Sequence, residues 1–194
     1  MEHISSKRRS RQEWVCVLAL LGVTALAYHP TFSADFIRFD DNYYVQENER
    51  LRTLDGLWQI WNPRATKLGT QYYPLVVSSF WLEYHLWGLD ARGYHATNVV
   101  LHLVNTTLVL LLMRAFGVSP PVALAVAALF ALHPTQVGSV AWVTERKNVL
   151  STVFYLLTFL AYLRHRRTGS RAAYAGCLAA FAAALLSKTQ TMTL

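Results

Sequence analysis

Two aspartates stand side by side at Asp40 and Asp41, within the stretch ADFIRFDDNYYVQEN. Adjacent carboxylates repel, and such a pair suits a general base that takes a proton from a hydroxyl. It equally suits a ligand set for a hard divalent cation such as Mg or Mn. A solvated turn with Asn42 as its cap uses the same residues without any chemistry, and the pair alone does not choose between these. A second set, His95, Asn98, His102 and Asn105, is spaced 3, 4 and 3, which puts all four on one helical face. In an apolar run such a stripe must meet protein or water, because lipid cannot satisfy it. It can bond neighbouring helices, or, for His95 and Asn98 near the outer end, shape a site close to Asp40. A third set is His133-Pro134 followed by Glu145-Arg146-Lys147. The two cations can hold a phosphate, Arg through paired hydrogen bonds and Lys as a point charge. They can also anchor a helix end by reaching along it to water.

The elements that must position these residues are apolar. The chain has 194 residues, 54% of them hydrophobic and only 15% charged, against about 45–50% and about 25% in an ordinary soluble domain. The excess lies in long runs at 14–32, 96–113, 118–137, 148–163 and 172–186. A spanning helix needs about 20 mostly apolar residues, so the pattern predicts an all-α fold. The expected architecture is a multi-pass transmembrane helix bundle of about five spans behind a basic N-terminus, residues 1–13. Lys7, Arg8, Arg9 and Arg11 before the first run also resemble a signal peptide, but the later runs make an uncleaved first helix the simpler reading. Residues 33–93 form a long first extracytoplasmic loop. Within it, 74–89 reads PLVVSSFWLEYHLWGL and is expected to lie flat as an interfacial helix, with Phe80, Trp81, Tyr84 and Trp87 at the lipid boundary. A crossing there would put Glu83 and His85 in hydrocarbon.

The net charge of +7 is an orientation signal. Lysine and arginine near span ends mark the cytoplasmic side. On the expected topology Lys7, Arg8, Arg9, Arg11, Arg114, Arg164, Arg166, Arg167 and Arg171 are cytoplasmic, with Glu2 and Glu13. The remaining basic and acidic residues balance outside, so the excess faces the cytoplasm and attracts anionic membrane lipid. No basic stripe with interleaved aromatics lines a groove, and nucleic acid is not an expected partner. Cys16 and Cys177 both fall in apolar runs and form no metal-binding spacing.

The segments FDDNYYVQEN, YYPL, GLDARGYHATNVVLHLVNT, ALFALHPTQVGSVAWVTERKNVLST and LLSK, in this order, resemble the N-terminal part of the transmembrane and tetratricopeptide-repeat O-mannosyltransferase-like family. These are C-superfamily membrane glycosyltransferases with many bacterial relatives, and the resemblance covers roughly residues 14–194. It implies inverting transfer of a sugar, mannose first, from a polyprenyl-phosphate lipid to an acceptor hydroxyl on a protein or glycan, at the outer face of a bacterial inner membrane. The acidic pair maps to Asp40 and Asp41, with Asp40 as base and Asp41 as support or metal contact. Arg146 and Lys147 would bind the donor phosphate, and His95, Asn98, His133 and Glu145 would shape the site. A divalent cation is a possible cofactor.

Two positions depart from that family's pattern. Gly138 stands where a carboxylate follows the His-Pro pair, and Lys188 is followed by Thr189 rather than proline. The chain ends soon after its fifth run and shows no repeat signature, so a fragment or truncated product is expected. A non-catalytic or degenerate membrane module, or scaffold, is the alternative reading. A transporter segment built on the polar stripe is weaker, because the broken helices and paired repeats of such proteins are not evident.

Overall fold

The computed structural model describes residues 2–65 and 71–193, with side chains described for 12–64 and 71–192. The basic side chains of Lys7, Arg8, Arg9 and Arg11 lie outside these, as does Lys67. All regular structure among the described residues is helical. The chain runs through α1 (Glu2–Ala27), α2 (Leu54–Trp61), α3 (Pro74–Trp87), α4 (Ala91–Ala115), α5 (Pro120–Leu132), α6 (Gln136–Ala141), α7 (Arg146–Thr168) and α8 (Arg171–Ser187).

The ends of these helices follow local chemistry. The Asp90 side chain accepts the Arg92 N–H at 3.1 Å and starts α4. Pro120 and Pro121 open α5, where a missing N–H costs nothing. Gly169, at φ 68°, closes α7 in the left-handed conformation, and Ser170 accepts from Ala173 N–H to begin α8. The result is a tight antiparallel pair of α7 and α8, with α7 also lying along α4. Leu108, Leu112, Val153 and Leu156 fill the α4–α7 seam. On α5, Ala123, Ala127 and Ala131 recur every fourth residue and are fully buried, which lets its backbone approach α4 closely.

Among the described residues two stretches are long and apolar enough to cross a membrane, Gln12–Ser33 and Ala91–Ala115. Pro120–Leu132 and Arg171–Ser187 are apolar but shorter. The run expected to be one helix over 118–137 is broken. Helix α5 stops at Leu132, His133 is extended at ψ 132°, and α6 begins at Gln136. Pro134 is the cause, since it disfavours helical backbone at the residue before it. Cys177 is buried, whereas Cys16 on α1 is exposed.

The segment between α1 and α4 folds on itself. Phe36, Val45, Leu51, Ile60, Val76, Phe80 and Tyr94 form one apolar cluster. Residues Pro74–Trp87 are helical as expected, but Phe80 is fully buried and not at a lipid boundary. The Trp81 indole N–H donates to the Thr53 carbonyl at 2.8 Å, which holds α3 against the loop. Helix α3 also touches α4, α7 and α8, so this segment caps the bundle and covers one end of it.

Candidate active site

The site is assembled where that cap meets the start of α7. Asp41 is fully buried. Its Oδ2 accepts the Ile37 N–H at 2.9 Å, and its Oδ1 accepts the Thr144 N–H at 3.0 Å. One carboxylate therefore closes its own turn and also ties the first loop to the α6–α7 connection. The neighbouring Asp40 points the other way and is about one-third exposed, with its Oδ2 4.0 Å from Lys147 Nζ. The two aspartates thus face different surroundings, Asp41 buried between two backbone segments and Asp40 partly exposed beside Lys147.

Lys147 is held by Glu145, whose Oε1 is 2.7 Å from the ammonium. The other Glu145 oxygen accepts from Asn148 Nδ2, which also donates to Ser139 Oγ at 3.0 Å. Lys188 Nζ donates to Asn148 Oδ1. A continuous polar chain therefore runs from Asp40 through Lys147, Glu145 and Asn148 to Lys188. Burial pushes the Lys188 ammonium below its ordinary range; Glu145 offsets part of that and Lys147 adds to it. Among the described residues no three of His, Cys, Asp and Glu converge to hold a metal ion. The place between Asp40 and Glu145 is taken by the Lys147 ammonium, and both oxygens of Asp41 are engaged by backbone N–H groups. These residues do not fit a divalent cation.

Arg146, expected beside Lys147 at a phosphate, is fully buried and turned inward. Its Nε donates to Asn98 Oδ1 at 2.8 Å, and one terminal nitrogen donates to the Tyr94 carbonyl at 2.8 Å. The other meets Ser79 and pairs with Glu83, and the guanidinium lies 4.7 Å from the Phe80 ring centre. Successive residues on a helix point about 100° apart, and here Arg146 turns inward while Lys147 turns to Asp40 and Glu145. Burial raises the Glu83 carboxyl above its usual range, with the Arg146 charge and hydrogen bond pulling it back.

Asn98 Nδ2 donates to the carbonyls of Trp142 at 3.0 Å and Val140 at 3.2 Å, so it braces the turn that presents Glu145 and Lys147. His95 is buried behind Asp41, near the Ala34 and Ala141 carbonyls, with neither nitrogen in full hydrogen-bond geometry. Deeper in the stripe, Asn105 donates to the Val149 carbonyl at 2.8 Å, and His102 Nε2 lies 2.9 Å from that of Ala131. These two join helices. His133 is exposed and folds back on Thr135, its Nδ1 2.8 Å from the hydroxyl; none of its described contacts reaches Asp40. A side chain at Gly138 would enter open space. Sequence reading missed Glu83 as the partner of Arg146, and Asn148 and Lys188 as members of the cluster. The signals for Lys188 were its place in the LLSK segment that resembles the family and at the end of an alanine-rich run.

No family model matches the chain, and no solved structure does. Among curated proteins it is similar to Protein O-mannosyl-transferase Tmtc1 of Drosophila melanogaster, 38% identical over 75% of this chain and 18% of that protein. It is 34% identical to Tmtc2 of the same organism, over 82% of this chain and 18% of that protein. To TMTC4 of Homo sapiens it is 29% identical, over 79% and 24%. The chain thus spans a quarter or less of the length of these relatives.

Proposed function

Because this chain belongs to the TMTC-like family of protein O-mannosyl-transferases, we propose that it forms the acidic-loop part of a membrane glycosyltransferase. The reaction is inverting transfer of a sugar, mannose first, from a polyprenyl-phosphate donor to a protein hydroxyl on the extracytoplasmic face. The observation that carries this reading is the free Asp40 carboxylate 4.0 Å from the Lys147 ammonium, at the junction of loop and bundle. A base and a cation side by side are what the step needs. Asp40 takes the proton of the acceptor hydroxyl while its oxygen forms the new bond to the anomeric carbon. The bond to the lipid phosphate breaks with its electron pair, and the charge growing on that phosphate is met by Lys147. Lys188, joined to the same network through Asn148, is the second cation within it.

The other residues support that pair. Asp41 fixes the loop, Glu145 orients Lys147, Asn98 holds the backbone beneath them, and His95 fills the space behind Asp41. Arg146 holds the α7 start in place through Asn98, Tyr94 and Glu83. Helices α1, α4, α5, α7 and α8 are the five spans of this reading, with α5 extended by the turn and α6, and the loop faces outward. Asp40→Asn is expected to lower transfer by the full-length protein about 10²–10⁴-fold, with membrane insertion unchanged. Transfer at the wild-type rate would remove Asp40 from the mechanism and favour a non-catalytic scaffold.

A further inference from the structure

The folded loop contains a cleft that the transfer step does not use. It has a volume of about 600 Å³ and is walled by the turns after Asp41, by α2 and by the first turn of α3. Tyr43, Tyr44, Gln59, Gln71, Tyr72 and Tyr73 give it flat aromatic faces and amide groups. We propose that this cleft binds the acceptor as an extended polypeptide segment and delivers its hydroxyl to Asp40. The inference rests on the transfer reading above and adds where the acceptor lies.

Position is the first argument. Every lining residue falls between Tyr43 and Val77, so none comes from α1, α4, α5, α7 or α8. A donor whose tail lies in the bilayer meets those helices, whereas a protein acceptor arrives from the side of the cleft. Continuity is the second. Asp40 and Tyr44 lie four residues apart in one continuous helical stretch, on the same side of it. Tyr73 belongs to the same apolar cluster as Val143, two residues before Glu145, so the cleft lies beside the carboxylate and lysine cluster. Chemistry is the third. Amide side chains pair with the N–H and C=O groups of an extended backbone, and tyrosines offer broad contact with a polar tip. A site of this volume is in the range of a drug-sized ligand or a short peptide and exceeds a single sugar ring.

The walls are also held in advance. The Tyr72 hydroxyl donates to the Trp61 carbonyl at 3.1 Å, and the Trp61 indole N–H donates to Ser78 Oγ at 3.0 Å. A cleft tied across its own walls loses little entropy on binding.

The test uses the full-length protein in proteoliposomes, with polyprenyl-phosphate mannose as donor and a ten-residue peptide carrying one threonine as acceptor. Gln59→Ala and Tyr72→Ala are expected to raise the peptide KM about threefold to tenfold each, the loss of one hydrogen bond or contact. The donor KM and kcat should stay within about twofold of wild type, which also shows that the variants fold. An unchanged peptide KM, or a donor KM that rises in its place, would overturn the assignment, the latter giving the cleft to the donor sugar. A photo-crosslinking residue at position 59 should capture the same peptide and one at position 174 should not, whether or not sugar is transferred. If wild-type protein captures peptide at 59 but transfers nothing, the cleft stands and the transfer reading falls. If it transfers sugar but captures nothing at 59, the reverse holds.

Discussion

Asp41 shows how much one buried carboxylate can decide. It accepts two backbone N–H groups, from exposed Ile37 and from buried Thr144, and the Thr144 donor would be left unsatisfied in a buried place without it. Leaving a buried donor unpaired costs about 1–3 kcal/mol. Asp41→Ala is therefore expected to lower stability by about 2–5 kcal/mol and to expose 34–48 to proteolysis, read by thermal unfolding in detergent and limited digestion. Asp40→Asn, with the same charge change, should leave both readings at wild type. The Arg146–Glu83 pair makes a second case. Removing one partner of a buried ion pair strands the other charge at a cost of about 3–5 kcal/mol. Glu83→Leu alone should show that loss, and Glu83→Leu with Arg146→Met should recover part of it. A double variant no better than the single one would mean that the hydrogen bonds to Asn98, Ser79 and Tyr94 matter more than the charge pair.

At the scale of elements, the loop between α1 and α4 depends on α2 lying directly on the turn before it. Gly56, in the first turn of α2, is buried, and a methyl group there would run into the Arg50 carbonyl. Backbone does not move aside as a flexible side chain does. Gly56→Ala should cost about 1–3 kcal/mol as an overpacked site and widen the wall of the cleft, despite the higher helix propensity of alanine. An unchanged melting temperature would show that α2 shifts freely. The α5–α6 break works differently. Pro134 stops α5 after Leu132 and lets the chain turn toward the carbonyls of Val140 and Trp142, which Asn98 then binds. The helix end thereby places the next segment beside the site.

For the whole molecule, charge and membrane orientation are linked. The basic residues Arg164, Arg166, Arg167 and Arg171 gather at the α7–α8 turn, at the far end of α7 from Lys147. On the five-span topology proposed above, the positive-inside rule puts that turn on the cytoplasmic side and the cleft on the outer side. In a chain carrying C16S and C177S, Thr168→Cys should react with an impermeant thiol reagent only in inside-out vesicles. Asp55→Cys, at an exposed position of α2, should react only in right-side-out vesicles. Labelling of both from one side would break the five-span topology.

The sequence by itself determined the helical class and the polar face of α4, because these depend on composition and on spacings of a few residues. Long apolar runs force helices, and a 3-4-3 spacing must share a face; the helix ends at Leu132 and Thr168 came from the structure. The sequence also pointed to Asp40, Lys147 and Glu145. Only the tertiary structure decided what each touches. Asp41 meets Thr144 across 103 residues, Arg146 meets Glu83 across 63, and Lys188 meets Asn148 across 40. No local pattern encodes such pairs, because they exist only once α3, α7 and α8 have packed and fixed which residues face one another. The same packing turned Arg146 inward and left Lys147 outward, a distinction between neighbours that their residue types do not carry.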